Sequence, residues 1–244
     1  MKNLVYIALG TALTAVSCNK QISSTTETEA KDNQTFADLD KARIKHLSLD
    51  IETDFDTHQI KGSAAYTFEN NQAKQLILDT EKLTIDSVLL ANGQKTTYRL
   101  GEKDSIKGQA LIIDVTPNDT IVKVFYKTSP DANALQWLNP QQTHDKKHPF
   151  LLSQGQAILT RSWIPIQDTP SVRLTYDAKV KTPKDLLPLM SAINPKEKNF
   201  EGVYTFKMPQ PIAPYLIALA VGDVQYQPID NRTAVSYTHL TLPT

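Results

Sequence analysis

From Lys41 onward, apolar and polar residues alternate along the chain: Leu47, Leu49 and Ile51, then Ala64, Tyr66 and Phe68, then Leu111, Ile113 and Val115. A period of two belongs to strands with one face in a core and the other in solvent. Turn-forming clusters separate the runs, "NNQ" from Asn70, "NGQK" from Asn92 and "TPND" from Thr116, with further breaks at Pro130, Pro149 and Pro170. Strands recurring roughly every ten to fifteen residues, with no long helical period between them, predict a mostly β domain of two sheets packed face to face. One window, "TPKDLLPLMSAI" from Thr182, predicts a helical turn or two, limited by Pro188. The later strands include "GVYTFKMP" and the continuous apolar run "PYLIALAVGDV", which predicts burial on both faces.

At 244 residues and 40% hydrophobic content, the chain can bury a substantial core. Lysine plus arginine equals aspartate plus glutamate, 26 of each, so no net field draws it toward nucleic acid, which is not an expected partner. Eight glycines, fourteen prolines and no internal repeat exclude collagen-like, low-complexity and solenoid architectures.

Cys18 is the only cysteine, which rules out an intramolecular disulfide and a cysteine-based zinc site. It closes the segment "MKNLVYIALGTALTAVSC", with a charge at Lys2, an apolar stretch from Leu4 and small residues at Ala15 and Ser17. This layout predicts a helical secretory signal over residues 1–17, too short to span a membrane. It resembles a bacterial lipoprotein signal, in which Cys18 becomes the lipidated first residue; cleavage near Ser17 without lipidation is the alternative. Either route exports the protein, and the first anchors it to a membrane of the cell envelope, in the periplasm or at the cell surface. Residues 18–40 are polar and Thr/Glu-rich and predict a flexible tether, spanning on the order of 25 Å as a coil. The β domain is expected over residues 41–233.

The pair His144 and His148 in "HDKKH" has the spacing that puts two imidazoles on one helix face for zinc. The window is polar, lies between Pro140 and Pro149 and lacks the glutamate of a metalloprotease helix, so a solvated loop is expected and no metal ligand is assigned. His46 and His58 are isolated and read as surface or satisfied histidines. There is no nucleophile elbow, phosphate loop or dinucleotide fingerprint, and no catalytic residue is assigned. In "SQGQA", Gln154 and Gln156 are two apart on a strand pattern and predict two amides on one face, with Gly155 leaving the other face bare. Such a pair can accept hydrogen bonds from an ammonium group or donate to a carbonyl, although spacing alone favours a polar strand face without a ligand.

The ordered set "ALQWLNPQQT", "SQGQA", "QDTPSVRLTY", "LMSAI" and "PYLIALAVGD" resembles the amino-terminal domain of leukotriene A4 hydrolase and its bacterial zinc aminopeptidase relatives, over about Ala42 to Thr233. The resemblance implies a saddle-like, largely antiparallel β domain packed against a separate catalytic domain. It also implies that Gln156 accepts the ammonium group of a peptide substrate's amino terminus, with Gln154 beside it and Gly155 in the same wall. Leukotriene A4 hydrolase has a cysteine where this chain has Gly155. The family's Gly-Gly-Met-Glu-Asn segment, its His-Glu-x-x-His zinc motif and its catalytic tyrosine have no counterpart in the 244 residues. Zinc is therefore implied for a full-length parent, while this chain is expected to carry no cofactor and to be inactive alone.

The ending "VSYTHLTLPT" can be encoded by the mosaic end of a transposase-based sequencing adapter and its following bases. Residues 234–244 are accordingly expected to be adapter translation, with the natural sequence ending near Thr233. A reading from another class is a lipid-anchored β-sandwich binding module for a glycan or a partner protein. That module would want Trp137 and Trp163 exposed and coplanar, whereas the aminopeptidase domain would pack them.

Overall fold

The computed structural model describes residues 32–229 and 234–237; the expected signal, Cys18 and the tether up to residue 31 lie outside them. Strand β1 (Ala42–Asp54) turns into β2 (Gln59–Asn70), followed by β3 (Gln75–Thr80), β4 (Thr84–Leu90), β5 (Tyr98–Asp104), β6 (Gly108–Asp114) and β7 (Ile121–Lys127). Two short strands, β8 (Leu135–Leu138) and β9 (Phe150–Ser153), precede β10 (Leu174–Lys181), β11 (Leu187–Met190), β12 (Val203–Ile212), β13 (Leu219–Gly222), β14 (Gln225–Pro228) and β15 (Ala234–Tyr237). Among the described residues the only helical elements are three 3-10 turns of three residues each.

The expectation of a mostly β domain holds. The strands are shared among a six-stranded sheet (β12-β10-β1-β2-β7-β4), a four-stranded sheet (β11-β13-β9-β8), a three-stranded sheet (β3-β6-β5) and the pair β14-β15. In the large sheet Leu47 lies opposite Tyr66 on β2 and Tyr176 on β10, and Leu49 opposite Ala64 and Ala178. The alternation read from the sequence thus becomes one continuous apolar face, on which all six of these residues are buried. The β1–β10 pairing is parallel, an exception to the antiparallel rule elsewhere. Where β10 does not reach β1, the side chain of Gln167 takes its place: Oε1 accepts from the Ile44 amide at 2.9 Å and Nε2 donates to the Ala42 carbonyl at 2.8 Å.

The structure corrects the helix expected from Thr182. Leu187–Met190 forms β11, at the edge of the four-stranded sheet. Pro188 cannot donate to a ladder, which an edge strand tolerates, and burial of Leu186, Leu187 and Met190 outweighs local helix preference. The run from Pro214 also divides, into a 3-10 turn at Pro214–Leu216 and β13, which is the interior strand between β11 and β9.

The end of the expected tether is held by the domain. Thr35 Oγ1 and the Phe36 amide donate to the buried carboxylate of Asp79 at 2.6 and 2.7 Å, and the Gln34 carbonyl accepts from Arg161 at 2.8 Å. A buried charge must be met by donors, and this segment supplies them.

Candidate functional site

β9 ends at Ser153, and the chain continues as Gln154, Gly155 and Gln156 into an irregular segment rather than a longer strand. The alternation survives the end of the ladder: Leu152, Gln154 and Gln156 are exposed, while Ser153 and Gly155 are buried. The two glutamines are therefore solvent-exposed, on an irregular segment where the sequence predicts a strand. Pairing continues one residue past the strand, because the Gln154 amide donates to the Ala134 carbonyl at 2.8 Å. The Gln154 Oε1 atom accepts from the Gln156 amide at 3.0 Å, which fixes the first glutamine to the loop. The Gln156–Ala157 peptide is cis.

The expectation that Gly155 leaves its side bare is corrected. A Cβ there would stand 2.6 Å from Thr160 Oγ1, 2.9 Å from the Tyr215 carbonyl oxygen and 3.1 Å from Tyr215 Cα. The loop is thus clamped between the 3-10 turn Thr160–Ser162 and the turn Pro214–Leu216. Thr160 Oγ1 donates to the Pro214 carbonyl at 3.2 Å, tying the two turns together. Ser153 Oγ accepts from the Leu219 amide at 2.7 Å, and Ser162 Oγ from the Ala134 amide at 2.9 Å.

The four-stranded sheet has an open face. One rung runs Leu189, Ala220, Leu152, Gln136 across all four strands. All four are exposed or half-exposed; Leu152 is 42% exposed, and nearby in the chain Leu216 is 43% exposed. Gln154 and Gln156, also exposed, follow Leu152 in the chain just beyond the end of β9.

Behind the loop lies a buried charge cluster that sequence spacing did not reveal. Arg161 is 1% exposed. Its Nε donates to Asp168 Oδ2 at 3.3 Å, and its terminal nitrogens to the carbonyls of Lys107, Gln34 and Asp168. Asp79 Oδ2 is 3.7 Å away and accepts from the Asp168 amide at 2.8 Å. Two carboxylates thus share one guanidinium. Burial pushes both carboxyls up, that of Asp168 to about 6, against the opposing pull of Arg161. The cluster joins the segment after the glutamines to β3 and to the residues before β1, so it holds the loop in place.

At the other end of β9, the β8–β9 connection carries His144 and His148. The structure does not use the pair as a helical display: the window is an irregular loop, as expected. His148 instead meets one carboxylate three residues before it and two distant in sequence. Its Nδ1 lies 2.5 Å from Asp145 Oδ2 and 3.5 Å from Asp223 Oδ2, and its Nε2 lies 3.4 Å from Asp185 Oδ2. His46 is satisfied by Thr175 and Asp177, each at 2.7 Å, and His58 stacks on Trp137.

Trp163 is fully buried, and Trp137 is half-buried, edge-on to Phe55 with ring centroids 5.1 Å apart. The exposed coplanar pair that a glycan platform would need is absent.

The sequence profile of the peptidase M1 N-terminal domain matches residues 43–216. The chain is 41% identical to the leukotriene A-4 hydrolase of Xenopus laevis over 216 residues, covering 84% of this chain and 35% of that protein. It is 37% identical to leucine aminopeptidase 2 of Yarrowia lipolytica over 209 residues, covering 84% and 32%. Among solved structures, native yeast LTA4 hydrolase superposes with a TM-score of 0.79 at 29% identity, over 86% of this chain and 34% of the other. An M1 zinc metallopeptidase from Deinococcus radiodurans shares the fold, with a TM-score of 0.61 at 16% identity over 77% and 43%. The chain spans about a third of the length of the curated relatives it matches.

Proposed function

The chain belongs to the peptidase M1 N-terminal domain family, and from that premise we propose that it is the non-catalytic amino-terminal part of an exported zinc metallo-aminopeptidase, anchored through a lipidated Cys18. Its task is to cap the catalytic domain and to help hold the amino terminus of a peptide substrate. The observation that carries this reading is the exposure of Gln154 and Gln156 just beyond the end of β9, on a loop clamped at Gly155. With Gln154 Oε1 engaged by the loop backbone, Gln156 is the residue available to accept from a substrate ammonium group. The apolar rung of Leu189, Ala220 and Leu152 is the surface on which the catalytic domain docks.

The catalytic zinc belongs to that second domain. No His-Glu-x-x-His stretch occurs in the 244 residues, so this chain contributes positioning and exclusion of water, not activation of it. The purified chain is accordingly expected to leave a fluorogenic leucine amide intact with zinc present. Stoichiometric zinc-dependent turnover by the chain alone would overturn the proposal. In the continuous gene product, Gln156→Ala should raise KM for a free peptide by roughly ten- to a hundredfold, the worth of one hydrogen bond to a charged group. Acetylating the peptide's amino terminus should erase the difference between variant and parent; an unchanged KM would remove Gln156 from substrate binding.

A further inference from the structure

The cluster at the far end of β9 is built as a metal site is built, although its residues come from three separate stretches of sequence. We propose that His148 Nδ1, Asp145 Oδ2 and Asp223 Oδ2 bind a divalent zinc ion, which clasps the β8–β9 connection to the turn between β13 and β14. One ligand atom from each of the three residues lies within 4.8 Å of the others. A tetrahedral zinc with bonds of about 2.0–2.1 Å places its ligand atoms about 3.3–3.5 Å apart. His148 Nδ1 and Asp223 Oδ2 already stand 3.5 Å apart. Asp145 Oδ2, at 2.5 Å from the ring nitrogen, needs to move back by about 1 Å to admit the ion.

Each inner ligand is fixed through its other polar atom. Asp145 Oδ1 accepts from the amides of Lys147 and His148, at 3.0 and 3.2 Å, and from Thr143 Oγ1 at 3.2 Å, leaving Oδ2 to turn toward the ion. Asp223 Oδ1 pairs with the ammonium of Lys198. His148 Nε2 faces Asp185 Oδ2 at 3.4 Å, an ion-pair contact, so the ring turns Nδ1 toward Asp145 and Asp223 and Nε2 toward a third carboxylate. With a neutral imidazole, the three carboxylates against the single ammonium of Lys198 leave two negative charges, which a divalent cation balances. One imidazole with two carboxylates suits zinc among the common divalent ions. A cavity of about 200 Å³ adjoins the cluster, lined also by Leu138, His144 and Phe150, and has room for a water as fourth ligand. The bare alternative is a histidine paired with carboxylates and no ion.

The inference does not rest on the peptidase reading: the site is separate from the glutamine loop, and it departs from the expectation that this chain carries no cofactor. The test is zinc titration of the untagged full chain after chelator treatment, by calorimetry and by bound-metal analysis. One equivalent of zinc per chain and a raised melting temperature are expected. His148→Gln and Asp223→Asn should abolish both. Asp185→Asn, at an exposed position touching no ion, should keep the fold and weaken zinc binding by about 10–100-fold. Absence of saturable binding, or binding equally tight in all three variants, would overturn the site. Hydrolysis of a leucine amide is measured separately, so failure of this site and failure of the peptidase reading are distinguishable.

Discussion

Replacing Gly155 with alanine tests whether the glutamine loop is held as tightly as its geometry states. The added Cβ would meet atoms of two different turns, Thr160 Oγ1 at 2.6 Å and the Tyr215 carbonyl oxygen at 2.9 Å, both closer than carbon tolerates. Relief requires Thr160 or the turn Pro214–Leu216 to move. Overpacking of this kind costs about 1–3 kcal/mol. Loss of the hydrogen bond from Thr160 to the Pro214 carbonyl adds about 1 kcal/mol, for a total of about 2–4. With a urea m-value of about 2 kcal/mol/M, the unfolding midpoint should fall by about 1–2 M at unchanged slope. Fluorescence of the buried Trp163 reports the transition. Gly101→Ala is the control, since its Cβ would rest at an ordinary 3.4 Å from Ala110 Cβ, and it should stay within about 0.5 kcal/mol of the parent. A Gly155→Ala variant as stable as that control would refute the clamp. Gly155→Cys should behave like alanine, since it brings the same Cβ.

Arg161→Met should destabilise the chain by about 3–5 kcal/mol in thermal or urea unfolding, because Asp79 and Asp168 would stay buried without their cation; a loss below about 1 kcal/mol would contradict the shared-guanidinium reading. The raised carboxyl of Asp168, at about 6 against an ordinary 3.8, makes a stability contribution that is complete below pH 3.8 and is lost as pH rises through about 6. The melting temperature should therefore be higher at pH 5 than at pH 7.5, and Asp168→Asn should flatten that difference; an unchanged slope would assign it to other groups. Asp131, held down to about 2 chiefly by Lys82, stays ionised throughout this window. Leu152→Glu on the open face should leave stability within about 0.5 kcal/mol while suppressing self-association of the isolated chain in light scattering. Monodisperse monomer in the unsubstituted chain at high concentration would count against a docking face.

The core strands were legible because their period is local: Leu47, Leu49 and Ile51, or Ala64, Tyr66 and Phe68, carry the pattern in a few adjacent residues. The helix read from Thr182 failed because burial of Leu186, Leu187 and Met190 against the sheet is a tertiary term that a local window does not contain. Alternation alone suffices to expect Gln154 and Gln156 outside the core, and both are exposed, although the strand that was to carry them ends at Ser153. The close packing of Gly155 could not be expected this way, since Thr160 and Tyr215 arrive from other turns. The same limit hid both charge clusters. Arg161 meets Asp79 across 82 residues as well as Asp168 seven residues on, and His148 finds Asp185 and Asp223 rather than His144, its neighbour in the motif-like spacing.

The most direct test of the central claim is the reading frame past the codon of Thr233, determined from the source locus with reads that do not carry the adapter sequence. The account predicts a frame that continues into a Gly-Gly-Met-Glu-Asn segment and a His-Glu-x-x-His zinc motif. A natural stop codon directly after Thr244 would contradict it, leaving a β domain with no catalytic partner in the same chain.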